Sequence, residues 1–254
     1  MIIFDKILPY FSASLLLFLY EFLLWKPSFI YFIAPLLIIT VILTIWRLTN
    51  KNFKSKDFGH FLLSPLLFII SCSIILLFLE NNNIKQIFII GSVLTYILII
   101  INIYSFFHQT EKYQPYTIEN LSGYVNLISI FLFYASFYSF GLFINTPTWF
   151  LTILVFIVTI LISYQTLWVN KINFRKARLF LIIIGIIIAE LFWCVDFLPT
   201  SYFVNAVILI IFYYVIINVS RDYLLGLINF KSVRQYLLVS FFVLILILAT
   251  APWI

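Results

Sequence analysis

Glu190 is the residue of this chain best placed to do chemistry. It lies in Ala189-Glu190-Leu191-Phe192-Trp193-Cys194, inside a long apolar run. An ionisable group within a bilayer costs about 2.5–3.5 kcal/mol at a helix centre, so such residues are functional candidates by default. Trp193 and Cys194 follow at i+3 and i+4 and share its helix face. The next apolar segment returns through the membrane, which sets Tyr202 and Asn205 at depths from which they could reach Glu190. Three readings follow, one of them that Glu190 simply reaches the outer interface. Glu190, Trp193, Tyr202 and Asn205 line a ligand or proton site facing a cavity, or Glu190 is a carboxyl hydrogen-bonded to a neighbouring helix as packing glue. Glu21, four residues before Trp25, is a further candidate, placed nearer the interface than a cavity. Glu80 and Asp196 fall on the same side, but Glu190 and Asp196 are six residues apart and face differently around a helix.

Little else in the sequence offers chemistry. No GxSxG, P-loop, GxGxxG, HExxH or aspartate-rich diphosphate motif occurs, and no nucleophile–base pair is visible. Cys72 and Cys194 have no CxxC or metal-ligand spacing, and His60 and His108 stand apart. No catalytic residue, cofactor or metal is therefore expected. Asn102, Asn126, Gln165, Asn205 and Asn218, with Ser71, Ser73, Ser129, Ser136 and Ser139, are dispersed through the apolar runs. Most are expected to hydrogen-bond between helices.

The elements that position these residues follow from composition. Of 254 residues, 65% are hydrophobic and 9% charged, with a mean hydropathy of +1.17. A soluble domain carries about 25% charged residues, so this chain could not cover a water-exposed surface. Its 30 Phe, 16 Tyr and 6 Trp exclude disorder. Continuous apolar runs such as Leu181–Ile188 and Phe241–Leu248 argue for helices rather than for a β-barrel, whose strands alternate. The expected fold is an all-α, polytopic transmembrane helical bundle of nine spans, in one domain. The spans are roughly 7–25, 28–46, 59–79, 84–107, 123–144, 148–169, 178–198, 201–219 and 236–253. All six tryptophans fall near span ends, where an indole keeps its N–H wet. Pro35 and Pro65 lie inside spans and predict kinks or early breaks.

Thirteen of the fifteen Lys and Arg residues fall on one set of loops and the N-terminus, leaving only Lys26 and Lys85 opposite. This bias sets the N-terminus in the cytoplasm and the C-terminus outside, in a multi-pass protein of the cell membrane. The formal charge of +6 then belongs to juxtamembrane residues facing anionic headgroups. Membrane lipids and another membrane protein are the expected partners, and nucleic acid is not. Ser220–Gln235 reads as a short amphipathic surface helix. Trp46 with Lys51–Lys54 resembles Trp168 with Lys171–Arg175, which suggests a four-plus-four span duplication over 1–122 and 123–235.

Glu190-Leu191-Phe192-Trp193, Phe197-Leu198-Pro199, Tyr213-Tyr214, Arg221, Tyr236 and Ala251-Pro252-Trp253 together resemble a known pattern. They are similar to an uncharacterised family of polytopic membrane proteins of candidate-phyla bacteria, a domain of unknown function, over about residues 180–254. That resemblance implies a membrane location and no mechanism. The sequence thus points to binding or moving a lipid or small hydrophobic molecule in the cell envelope. The alternatives are a non-catalytic scaffold or assembly subunit and, less supported, an intramembrane enzyme.

Overall fold

A computed structural model of the chain describes residues 2–49, 56–109 and 117–251. Among these residues nine α-helices form: α1 (Ile2–Trp25), α2 (Ile30–Leu48), α3 (Lys56–Phe78), α4 (Asn82–His108), α5 (Thr117–Ile144), α6 (Thr148–Val169), α7 (Phe174–Asp196), α8 (Tyr202–Leu224) and α9 (Phe230–Thr250). Each contains a stretch long and apolar enough to cross a membrane. The chain is a multi-pass membrane protein. In lipid every backbone polar group needs an internal partner, and a helix of about 20 residues supplies those partners over the whole hydrocarbon depth.

Most helices run past the expected spans at their charged ends. α7 takes in Arg175, Lys176 and Arg178, and α9 takes in Lys231 and Arg234. Long basic side chains reach the interface while their stems stay along the apolar surface, so the helix continues. Asparagines start three of the helices. The side chains of Asn81, Asn173 and Asn229 accept from the backbone N–H of Asn83, Arg175 and Lys231 at 2.8, 3.0 and 3.0 Å. α2 and α3 pass through Pro35 and Pro65 without an early break.

The expected surface helix over Ser220–Gln235 does not form. α8 continues to Leu224, and Gly226 then adopts φ +70°. The Gly226 N–H bonds the Tyr223 carbonyl at 3.0 Å and the Leu227 N–H bonds that of Asp222 at 2.9 Å. This left-handed cap ends α8, because a residue without Cβ adopts that conformation at no steric cost. α6 ends with the same pattern around Lys171, where the Lys171 and Ile172 N–H groups bond Trp168 and Leu167.

The chain divides into two compact units, Met1–Asn126 and Leu127–Ile254, with the boundary inside α5. In the first unit α1 packs against α2 and α4, and α2 packs against α3. Tyr20 of α1 is buried and donates to the Ile69 carbonyl of α3 at 3.3 Å. Ser64 of α3 donates to the Asn126 side chain at 2.9 Å. In the second unit α6, α7, α8 and α9 pair in chain order. The α6–α7 pairing is the tightest point. A Cβ built on Gly185 would lie 2.9 Å from both Phe156 Cδ2 and Ile160 Cγ1, so only glycine lets these backbones approach as they do.

Candidate functional site

α7 has two faces that differ in burial and hardly in polarity. Ala177, Leu181, Ile184, Gly185, Ile188, Ala189, Phe192 and Val195 are buried. Leu179, Ile182, Ile183, Ile186, Ile187 and Trp193 are exposed, and so are Glu190 and Cys194. Small residues on the first face admit α6, while branched and aromatic side chains cover the second. Glu190 therefore stands on the outward face rather than in a cavity. It makes no hydrogen bond or ion pair among the described residues. Glu190 is twelve positions beyond Arg178 and six before Asp196, about 18 and 9 Å at helical rise, within the stretch of α7 apolar enough to cross a membrane.

Of the residues expected beside it, the structure places Trp193 and Cys194 on the exposed face with Glu190. Trp193 is 48% exposed. Asn205 is buried and its side-chain oxygen accepts from the Thr200 hydroxyl. The Tyr202 ring meets Phe203 at 4.3 Å and the edge of Phe143 at 5.8 Å. Thr200 takes up the Asn205 amide and the aromatic neighbours pack on the Tyr202 ring, and neither side chain hydrogen-bonds Glu190. Glu21 belongs to the first unit, where its carboxylate accepts from Gln86 of α4 at 3.1 Å. Among the described residues no three His, Cys, Asp or Glu side chains gather as metal ligands.

Three buried polar contacts between helices of the second unit are made by tyrosines. Tyr134 of α5 shares a hydrogen bond of 2.9 Å with Thr159 of α6. Ser163, one turn along α6, donates to the Tyr213 hydroxyl of α8 at 3.4 Å. Tyr138 donates to the main-chain carbonyl of Phe192 on α7 at 3.1 Å. These four helices are thus tied at successive depths by hydroxyl groups that have no water to compete for them.

Several serines and asparagines expected to bridge helices do not. Ser71, Ser136 and Ser139 return their hydroxyls to carbonyls three or four residues back, and Asn102 and Asn218 return their amides likewise, whereas Ser73 of α3 also pairs with Tyr20 of α1. A short side chain reaches its own helix more easily than a neighbour, whereas a tyrosine hydroxyl stands far enough out to span the gap. The useful signal in the sequence is tyrosine inside an apolar run, as at Tyr134, Tyr138 and Tyr213.

A charged cluster joins α8 to α9. Arg221 donates from Nε and Nη2 to Asp222 Oδ1 at 3.1 and 3.0 Å. Tyr236 of α9 donates to Asp222 Oδ2 at 3.0 Å, and Arg221 Nη2 lies 3.3 Å from the Tyr236 oxygen. Asp222 is buried, so its charge is matched by three donors. Most of α9 is exposed, and Ser240 is its one buried residue.

The fold and these contacts extend over nearly the whole length of a family match. Residues 30–250 match DUF5656, described as a protein of unknown function. The chain belongs to the DUF5656 family. The match takes in α2 to α9, a far longer stretch than the last third that carried the resemblance in sequence. No curated protein and no solved structure matches the chain. Membership brings a domain of unknown function, and the arguments for a role rest on the residues above.

Proposed function

We propose that this DUF5656 protein is a non-catalytic assembly subunit of a membrane complex, docking another membrane protein on the outer face of α7. One observation carries the reading: the Glu190 carboxyl is exposed among Ile186, Ile187 and Trp193, within the apolar stretch of the helix. Facing lipid, that carboxyl would cost about 2.5–3.5 kcal/mol when charged, and a partner helix carrying a donor removes most of the cost. The chain sits in the cell membrane with its N-terminus in the cytoplasm, as the crowding of basic residues at one set of helix ends supports. A photo-crosslinking side chain at Ile187 tests the docking in native membranes. A discrete adduct from Ile187, absent from exposed Phe212 of α8 and lost on Glu190→Ala, is expected. Equal adducts from both positions, or none, overturn the proposal.

A lipid-handling role draws on a separate observation. An open groove of about 360 Å³ runs along α9, lined by Phe230, Val233, Arg234, Leu237, Leu238 and Phe241. Its apolar walls suit an acyl chain, and Arg234 at one end suits the phosphate of an anionic headgroup. Retention of anionic phospholipid in native mass spectra, lowered several-fold by Arg234→Gln, is the expected result.

A further inference from the structure

We infer that the partner docked on α7 presents a lysine or arginine at the depth of Glu190, its cation held between the Glu190 carboxylate and the Trp193 indole. This rests on the docking reading above and names the chemistry of the partner. Glu190 and Trp193 are three residues apart, both exposed, on one face of α7. An anionic oxygen beside an aromatic face is a pairing that recognises a cation, by charge and by the ring quadrupole together. The exposed positions a turn or two before them, Leu179, Ile182, Ile183, Ile186 and Ile187, are aliphatic. They supply helix-packing surface and no competing donor. A neutral ligand would use the isoleucines and have no need of the carboxylate.

Charge complementarity also argues against a second copy meeting this face through the same unit. Every Lys and Arg of the second unit, namely Lys171, Arg175, Lys176, Arg178, Arg221, Lys231 and Arg234, lies toward the helix ends remote from Glu190. α6 has none between its first and last residues. A twofold contact of α7 with α7 would bring Glu190 near Glu190, like against like. The cation is then supplied from outside this unit, as a membrane-embedded basic residue that is itself costly in lipid until it is paired.

The test uses the whole protein in phosphatidylcholine vesicles with synthetic transmembrane peptides of Leu and Ala. The peptides differ only at one central position, Lys, Gln or Leu, and association is read by energy transfer. The Lys peptide is expected to associate at least tenfold more tightly than the Leu peptide. Glu190→Gln should abolish that preference, and Trp193→Leu should weaken it several-fold while association of the Leu peptide stays unchanged. Equal association of the three peptides, a Gln peptide as good as the Lys peptide, or no association at all overturns the inference. The photo-adduct at Ile187 separates the two claims. An adduct with a protein lacking any Lys or Arg at that depth defeats the inference and leaves the docking reading standing. Absence of an adduct defeats the docking reading itself.

Discussion

Tyr138 stacks on Phe192 at 4.3 Å between ring centroids and donates its hydroxyl to the Phe192 backbone carbonyl at 3.1 Å. One side chain thereby closes α5 on α7 through an apolar contact and a polar one. Both rings are buried. Tyr138→Phe keeps the stack and loses the hydrogen bond, so a loss of about 0.6–1.7 kcal/mol is expected. Tyr138→Ala loses both and should cost about 3–5 kcal/mol. Unfolding measured by steric trapping in bicelles checks both values. Equal losses for the two variants would show that the hydroxyl carries the whole contact.

Gly185 sets the distance between α6 and α7. Gly185→Ala puts a methyl where Phe156 and Ile160 already stand at 2.9 Å, which should cost about 1–3 kcal/mol by overpacking. Phe156 is aromatic and one face of its ring meets the new atom, so a second substitution, Phe156→Leu, should recover part of the loss. The same unfolding assay, run on the single and double variants, measures this coupling.

The Arg221–Asp222–Tyr236 cluster predicts an unequal series. Asp222→Ala leaves Arg221 and Tyr236 without their shared acceptor, and a loss of about 1–3 kcal/mol is expected. Tyr236→Phe removes one donor and should cost about 1 kcal/mol or less. Because most of α9 is exposed, proteolysis in the Leu225–Asn229 connection should quicken in Asp222→Ala and hardly at all in Tyr236→Phe. Identical digestion of both variants would exclude the cluster as the tie between α8 and α9.

Glu190→Ala should leave the isolated protein as stable as before, or slightly more so, because the side chain holds no contact of its own fold. Glu190→Gln should behave alike. A carboxyl acting as internal glue would instead make Glu190→Ala the more damaging of the two. Thermal unfolding of the purified variants in detergent decides between these outcomes.

Membrane orientation gives a fifth expectation. Cysteines placed at Lys171 and Lys231, in a Cys194→Ser background, should react with an impermeant maleimide only when the cytoplasmic side is opened. Cysteines at Lys26 and Lys85 should react from outside. Labelling of Lys171 and Lys231 variants from opposite sides would break the assignment.

The helices were legible in the sequence because hydrocarbon imposes one rule on all of them. A run of about 20 apolar residues must hydrogen-bond to itself, and each of the nine spans read this way overlaps one observed helix over most of its length, the last running on to 252–253, outside the described residues. The end of α8 was misread because Arg221 and Asp222 look like a helix leaving the membrane, while in the fold they neutralise each other against Tyr236. Gly226 was the residue that marked the stop. The setting of Glu190 was harder to see. In water the buried face of a helix is apolar and the other polar, but in lipid both are apolar, and Ile184 and Ile186 differ in surroundings and not in kind. The clue that survives is size: Ala177, Gly185 and Ala189 mark the packed side, and Glu190 lies off that line.

The pairing of α1 with α4 has a consequence for biosynthesis. In the second unit α7, α8 and α9 each pack on the helix made just before, so that part can build itself in the order of translation. α1 has α2 beside it early, but the rest of its mating surface waits until about eighty more residues have left the ribosome. Tyr20, interior in the finished protein, gains its acceptor, the Ile69 carbonyl, only once α3 has been made. The newly made N-terminal hairpin is thus the stage at which the membrane insertion machinery has most reason to hold this polypeptide.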